Sequence, residues 1–97
     1  MTRKRAPHGP DRAEIIKRLN RIAGQVGGVG RMLEEDRYCI DILTQVQAIK
    51  AALSRAEDMI LLDHTEHCIA EAIASNDPAV HHEKLTELVE LYGKYKR

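Results

Sequence analysis

From Tyr38 to Ser75 the chain contains neither glycine nor proline, and this unbroken stretch constrains the fold more than any other feature. Nothing in it obliges a helix to stop. Its apolar residues Ile42, Val46, Ile49, Leu53, Ala56 and Ile60 recur in alternating steps of four and three. That spacing lays one stripe along a helix and predicts a single rod of more than about eight turns. Asp36 is the expected N-cap before it.

Two shorter segments flank the rod. Ile15, Leu19, Ile22, Val26, Val29 and Leu33 show the same alternation. They predict a first helix with Pro10 and Asp11 in its opening turn, where a missing N–H costs nothing and a negative charge meets the positive end of the dipole. Gly24, Gly27, Gly28 and Gly30 oppose a helix there. They read as points of close approach by another helix, with a break at Gly27–Gly28 as the competing reading. Asn76-Asp77-Pro78 stops one helix and starts the next, Asp77 capping and Pro78 taking the first helical position. Leu85, Leu88, Val89 and Tyr92 form the apolar face of the third helix.

With three Tyr and no Trp or Phe, the core must be aliphatic, which suits helices better than sheets. The expected fold is therefore all-α: a three-helix protomer with a long central helix. A length of 97 residues fits one domain, read as a flexible basic arm over 1–10 and a single helical domain over 11–97. The rod outruns its neighbours and needs a partner, most simply its own copy placed antiparallel.

No run of about 18 apolar residues points to a membrane span, and the basic N-terminus has no apolar stretch behind it. A cytoplasmic protein with no membrane partner is expected, and its two cysteines read as thiols for metal or redox work. The formal net charge of zero is unevenly spread. Residues 1–31 hold eight Lys or Arg and two acids (+6), whereas residues 32–97 hold seven bases and thirteen acids (−6). A basic half points towards nucleic acid, and a solvated basic helix face is the plain alternative. No Ser/His/Asp set, phosphate-binding glycine loop followed by Lys, or paired carboxylates mark an enzyme or a small-molecule substrate site.

The chemistry lies in Cys39, His64 and Cys68. His64 and Cys68 stand four residues apart, so a helix places them on one face. Cys39 precedes them by 25 and 29 residues. At 100° per residue both offsets return to within about 20° of one direction, but 25 helical residues span about 37 Å. The three cannot meet within one chain, and an intrachain disulfide is excluded. In an antiparallel pair crossing near Ala52 and Leu53, Cys39 of one chain falls beside His64 and Cys68 of the other. Two thiolates and one imidazole suit Cu(I), whereas Zn(II) wants a fourth ligand.

Arg-Leu-Asn-Arg-Ile-Ala-Gly-Gln (18–25), Met-Leu-Glu-Glu-Asp-Arg-Tyr-Cys (32–39), Asp-Ile-Leu-Thr-Gln-Val-Gln-Ala (41–48) and His-Thr-Glu-His-Cys (64–68) resemble the CsoR/RcnR family of metal-responsive repressors. The similarity runs over about residues 12–92, and the Cys, His, Cys spacing matches its copper-sensing branch. The resemblance implies an antiparallel four-helix-bundle dimer, a dimer-of-dimers tetramer, and no helix-turn-helix. It implies an apo form that binds operator DNA and a Cu(I) form, one ion per protomer shared between subunits, that binds it less well and derepresses copper-resistance genes. Carried over by position, Cys39, His64 and Cys68 are the ligands, Tyr38 lies in the outer network, and Arg18 and Arg55 contact DNA. That network also uses a glutamate on helix three, for which Glu83 and Glu87 are the candidates; an ungapped count falls on Lys84. Lys17, Arg21 and Arg31 join the DNA set from the basic first helix.

The remaining residues have plainer readings. His67 turns about 100° off the stripe and reads as a surface histidine. His81 and His82 read as solvated, and Met32 and Met59 as core. His8 keeps open a Ni(II)/Co(II)-responsive repressor. A persulfide or thiol sensor using both cysteines is a further alternative, against which His64 argues. A copper-storage protein that binds no DNA is the alternative from a different class.

Overall fold

A computed structural model of the chain describes residues 11–95. The arm over 1–10, with Pro10, lies outside the described residues. The chain forms three helices, α1 (Asp11–Glu34), α2 (Cys39–Ala74) and α3 (Pro78–Tyr95), with no strand among the described residues. The glycine- and proline-free stretch is one helix of 36 residues, as its spacing predicts. None of the helices is long and apolar enough to cross a membrane, among the described residues.

The residues divide into two compact units, one ending at Leu61 and one beginning at Leu62. In the first, a four-residue link joins α1 to α2, and the buried side chains are Ile15 and Ile22 of α1 with Ile42, Ala56 and Leu61 of α2. Only part of each predicted stripe is covered. Val26, Leu33 and Leu53 remain 54%, 60% and 50% exposed. In the second unit Cys68 is the one buried side chain of the described residues, and α3 buries none.

The link differs from expectation. Asp36 does not cap α2; it ends α1. Its φ is 55°. The Asp36 N–H donates to the Leu33 carbonyl at 3.2 Å and the Arg37 N–H to the Met32 carbonyl at 2.9 Å. This pair of bonds is a Schellman motif with Asp36 in the left-handed position usually given to glycine. Asp and Asn tolerate that conformation better than other side chains, which explains why a residue typical of N-caps appears here. The cap position of α2 falls instead to Tyr38, whose carbonyl accepts from the N–H groups of Asp41 and Ile42.

The four glycines of α1 also differ from expectation. The helix runs through them unbroken. Among the described residues no second helix of the chain closes on them: a Cβ at Gly24 or Gly30 would meet nothing within 4 Å, and one at Gly27 or Gly28 would meet only the Arg31 guanidinium, at 3.6 and 3.7 Å. The second link behaves as predicted. Asp77 Oδ1 accepts from the Ala79 N–H at 2.9 Å and Pro78 opens α3.

Candidate metal centre

Two of the three expected ligands lie together on α2 in the second unit. Cys68 is 1% exposed, and its Sγ faces the Lys84 carbonyl at 3.9 Å. His64, one turn earlier, is half-buried. Its Nε2 stands 3.3 Å from Glu87 Oε1. The contact is electrostatic only: the alignment is too poor for a hydrogen bond, and Nε2, itself shielded from solvent, has no hydrogen-bond partner. A buried ring nitrogen without a partner is uncommon and marks a place where the arrangement is incomplete.

Of the two glutamates expected on α3, Glu87 is the one that faces His64, and Glu83 is exposed. The ungapped position, Lys84, lies one turn before Glu87. Its Nζ donates to Glu71 Oε2 at 2.7 Å. That hydrogen bond, together with the charges of Glu71, Cys68 and Glu87, raises the Lys84 pKa against a smaller opposing effect of burial. Neither Glu71 nor the Thr65 hydroxyl, 3.0 Å from the Tyr92 hydroxyl, stands out in the sequence. Their signal is positional: Glu71 lies seven residues after His64, two turns along the same face of α2.

His67 is half-buried rather than on the surface, its Nε2 4.0 Å from Glu71 Oε1. His81 is exposed but engaged, with Nε2 2.7 Å from the Ser75 carbonyl oxygen. His81 also lines, with Cys68, Ile73, Lys84 and Leu85, an apolar cavity of about 300 Å³. His8 lies outside the described residues.

Cys39 belongs to the first unit, where it is exposed in the opening turn of α2 beside the 70% exposed Tyr38. Among the described residues no three or more His, Cys, Asp or Glu side chains converge to hold a metal within one chain. The donors present nevertheless fit a soft ion: a buried thiol and a shielded imidazole on adjacent turns, with a carboxylate behind the ring to orient it. The expected DNA-binding side chains all lie in the first unit. Lys17, Arg21, Arg31 and Arg55 are exposed, and Arg18 is half-buried with Nε 3.6 Å from Glu14 Oε1.

A family model described as a metal-sensitive transcriptional repressor matches residues 11–94. The chain is 40% identical over 87 residues to the copper-sensing transcriptional repressor CsoR of Bacillus subtilis (strain 168), covering 90% of this chain and 83% of that protein. Its structure is similar to that of the copper-sensing repressor CsoR with Cu(I) from Geobacillus thermodenitrificans NG80-2. The TM-score is 0.77 at 40% identity, covering 96% of this chain and 95% of that one. It is also similar to the nickel-responsive transcriptional regulator InrS, with a TM-score of 0.74 at 32% identity, covering 96% and 99%.

Proposed function

The chain belongs to the metal-sensitive transcriptional repressor family, a family of regulators and not of enzymes, and from that premise we propose that it is a cytoplasmic Cu(I)-responsive repressor whose apo form binds operator DNA and whose Cu(I) form releases it. The observation that carries the metal choice is the donor pair on α2, a buried Cys68 thiol one turn from the shielded imidazole of His64. Similar folds serve copper and nickel sensors, so the donors and not the fold decide between the ions. Thiolate and imidazole with no carboxylate ligand favour Cu(I).

The third ligand in this reading is Cys39 of a second copy. Two antiparallel chains crossing at Ala52 and Leu53 form a four-helix bundle and then a dimer of dimers. The exposed Leu43, Leu53 and Ile60 of α2 supply apolar surface for such a pairing. Glu87 faces the Nε2 side of the His64 ring, which leaves Nδ1 for the metal. Tyr38 lies next to Cys39, where it reaches the partner's site. Bound Cu(I) supplies a link between the two chains at each site.

Release follows from linkage. An ion that favours the arrangement unable to hold DNA lowers DNA affinity by the factor by which DNA lowers the ion's affinity. Lys17, Arg18, Arg21, Arg31 and Arg55 supply contacts to phosphates, so binding falls steeply with salt.

The test is an anaerobic Cu(I) titration of wild type and Cys39→Ala followed by X-ray absorption, with fluorescence anisotropy on DNA from upstream of the chain's own gene. Two sulfurs and one nitrogen around copper, one sulfur fewer in the variant, and DNA release on Cu(I) addition are expected. A nitrogen- and oxygen-rich Ni(II) site, or copper binding without DNA binding at low salt, overturns the reading.

A further inference from the structure

Helix α3 fully buries no side chain; its Val80, Leu88 and Leu91 are only half-buried. Besides the Thr65–Tyr92 hydroxyl contact at 3.0 Å, a series of polar contacts around the candidate site links it to α2. Glu71 Oε2 meets Lys84 Nζ at 2.7 Å, the Cys68 thiol faces the Lys84 carbonyl at 3.9 Å, and His64 Nε2 lies 3.3 Å from Glu87 Oε1. As residue numbers rise from 84 to 87 on α3 they fall from 71 to 64 on α2, the order of an antiparallel pair. The strongest contact, Glu71–Lys84, lies one turn from Cys68 on α2 and one turn from Glu87 on α3.

We propose that Glu71 and Lys84 are positioning residues for the metal centre: their ion pair sets the register of α3 that brings the Glu87 carboxylate to the His64 ring. The proposal rests on the copper-binding reading for its effect on affinity, but the positioning itself is a property of the apo chain. A slip of α3 by one residue moves each side chain on it by about 1.5 Å along the axis and 100° around it, which is enough to take Glu87 off the ring. Only 2.7 Å separates Lys84 Nζ from Glu71, the shortest distance in the series, and its side chain is more shielded than that of Glu87. The apolar residues that flank Glu87 are loosely held. Leu85 and Val89, on either side of Glu87, are 62% and 66% exposed, and a cavity of about 300 Å³ lies between Ile69, Ile73 and Leu88. Loose apolar contact tolerates a slip, whereas a short charge-assisted hydrogen bond does not.

A double-mutant cycle separates positioning from general stability. Wild type, Lys84→Met, Glu87→Gln and the double variant are titrated anaerobically with Cu(I) against a competing chelator. Orienting contacts behind a metal-bound histidine are worth about tenfold or more in affinity. Lys84→Met is expected to weaken Cu(I) binding about tenfold, and to cause no further loss once Glu87 is already Gln. Lys84→Arg, which keeps the pair, is expected to retain most of the affinity. Losses that multiply in the double variant, or wild-type affinity in Lys84→Met, overturn the proposal. If Lys84→Met fails to fold, Glu71→Gln completes the same cycle. The apo protein gives a second readout. In long-range nitrogen–proton spectra, the His64 ring signals of Lys84→Met should move as those of Glu87→Gln do, with the His82 ring as reference. Unmoved His64 signals overturn the positioning role whatever the metal. Moved signals in a protein that does not bind Cu(I) through two sulfurs and one nitrogen overturn the copper reading and leave the positioning intact.

Discussion

His64 and Glu87 face each other across the α2–α3 pair at 3.3 Å without forming a hydrogen bond. A small rotation of either side chain would convert the contact into one, so the pair is ready to tighten when the other ring nitrogen is engaged. Glu87→Gln keeps the shape and removes the charge. It should lower Cu(I) affinity by about tenfold while the metal keeps two sulfurs and one nitrogen. Unchanged affinity in a chelator competition would mean that the carboxylate does not support the ring.

Asp36 occupies a left-handed conformation. Left-handed geometry costs an ordinary L-residue about 1–2 kcal/mol, less for Asp, and nothing for Gly. Asp36 also places a negative charge at the negative end of the α1 dipole. Asp36→Gly should therefore stabilise the chain by about 0.5–1 kcal/mol after the chain-entropy cost of glycine is counted. Asp36→Ala should destabilise it by a similar amount. Thermal unfolding followed by circular dichroism reads both, and a glycine variant that melts below the alanine variant contradicts the assignment of Asp36 to the end of α1.

Lys84 gives a pH dependence with a defined sign. Its pKa in the folded chain is raised above 10.5, chiefly by the hydrogen bond to Glu71. Stability from the raised pKa is fully present below the ordinary lysine value and is lost as pH climbs through the folded value. Both side chains are partly exposed, so the pair contributes no more than about 1 kcal/mol. Wild type should exceed Lys84→Met in stability at pH 8 to 9, and the gap should close as pH climbs through the folded-state value. Urea titrations at a series of pH values measure the gap, and a constant difference across the range would remove the ion pair as its source.

Leu53 sits where the proposed pair of chains crosses, and it is 50% exposed in the single chain. Leu53→Glu would face its own copy across the two-fold axis, placing two like charges together in an apolar seam. The variant should lose self-association in analytical ultracentrifugation, and with it any copper site containing two sulfurs. The melting temperature of wild type should rise with protein concentration, as it does for any chain stabilised by its own copy. A monomeric wild type, or an unchanged assembly in Leu53→Glu, counts against the crossing point.

The helices were legible because their signals are local: apolar spacing for the long rod, Asp77 and Pro78 for the start of α3. Asp36 misled because the same side chain serves at either end of a helix, and only the backbone bonds of Leu33 and Met32 show which end it closes. The glycines of α1 do not break the helix, and no helix of the same chain approaches them among the described residues. In the candidate metal centre, the placing of His64 and Cys68 on one face followed from a spacing of four. Glu87 could not be chosen over Glu83 from sequence, since the turn through Ser75–Asp77 sets the register of α3 and depends on tertiary contacts. Lys84 and Glu71 carried no signal for the same reason: they lie 13 residues apart on two different helices.

Because α3 fully buries no side chain of its own, its detachment is expected to need less free energy than unfolding the helices of the first unit. Amide protons of α3 should exchange with solvent sooner than those around Ile22 and Ala56, and anything that seals this last helix onto α2 would register as a slowing confined to one segment. Single substitutions on the surface of α3 should therefore alter its attachment while leaving the folding core of the first unit alone.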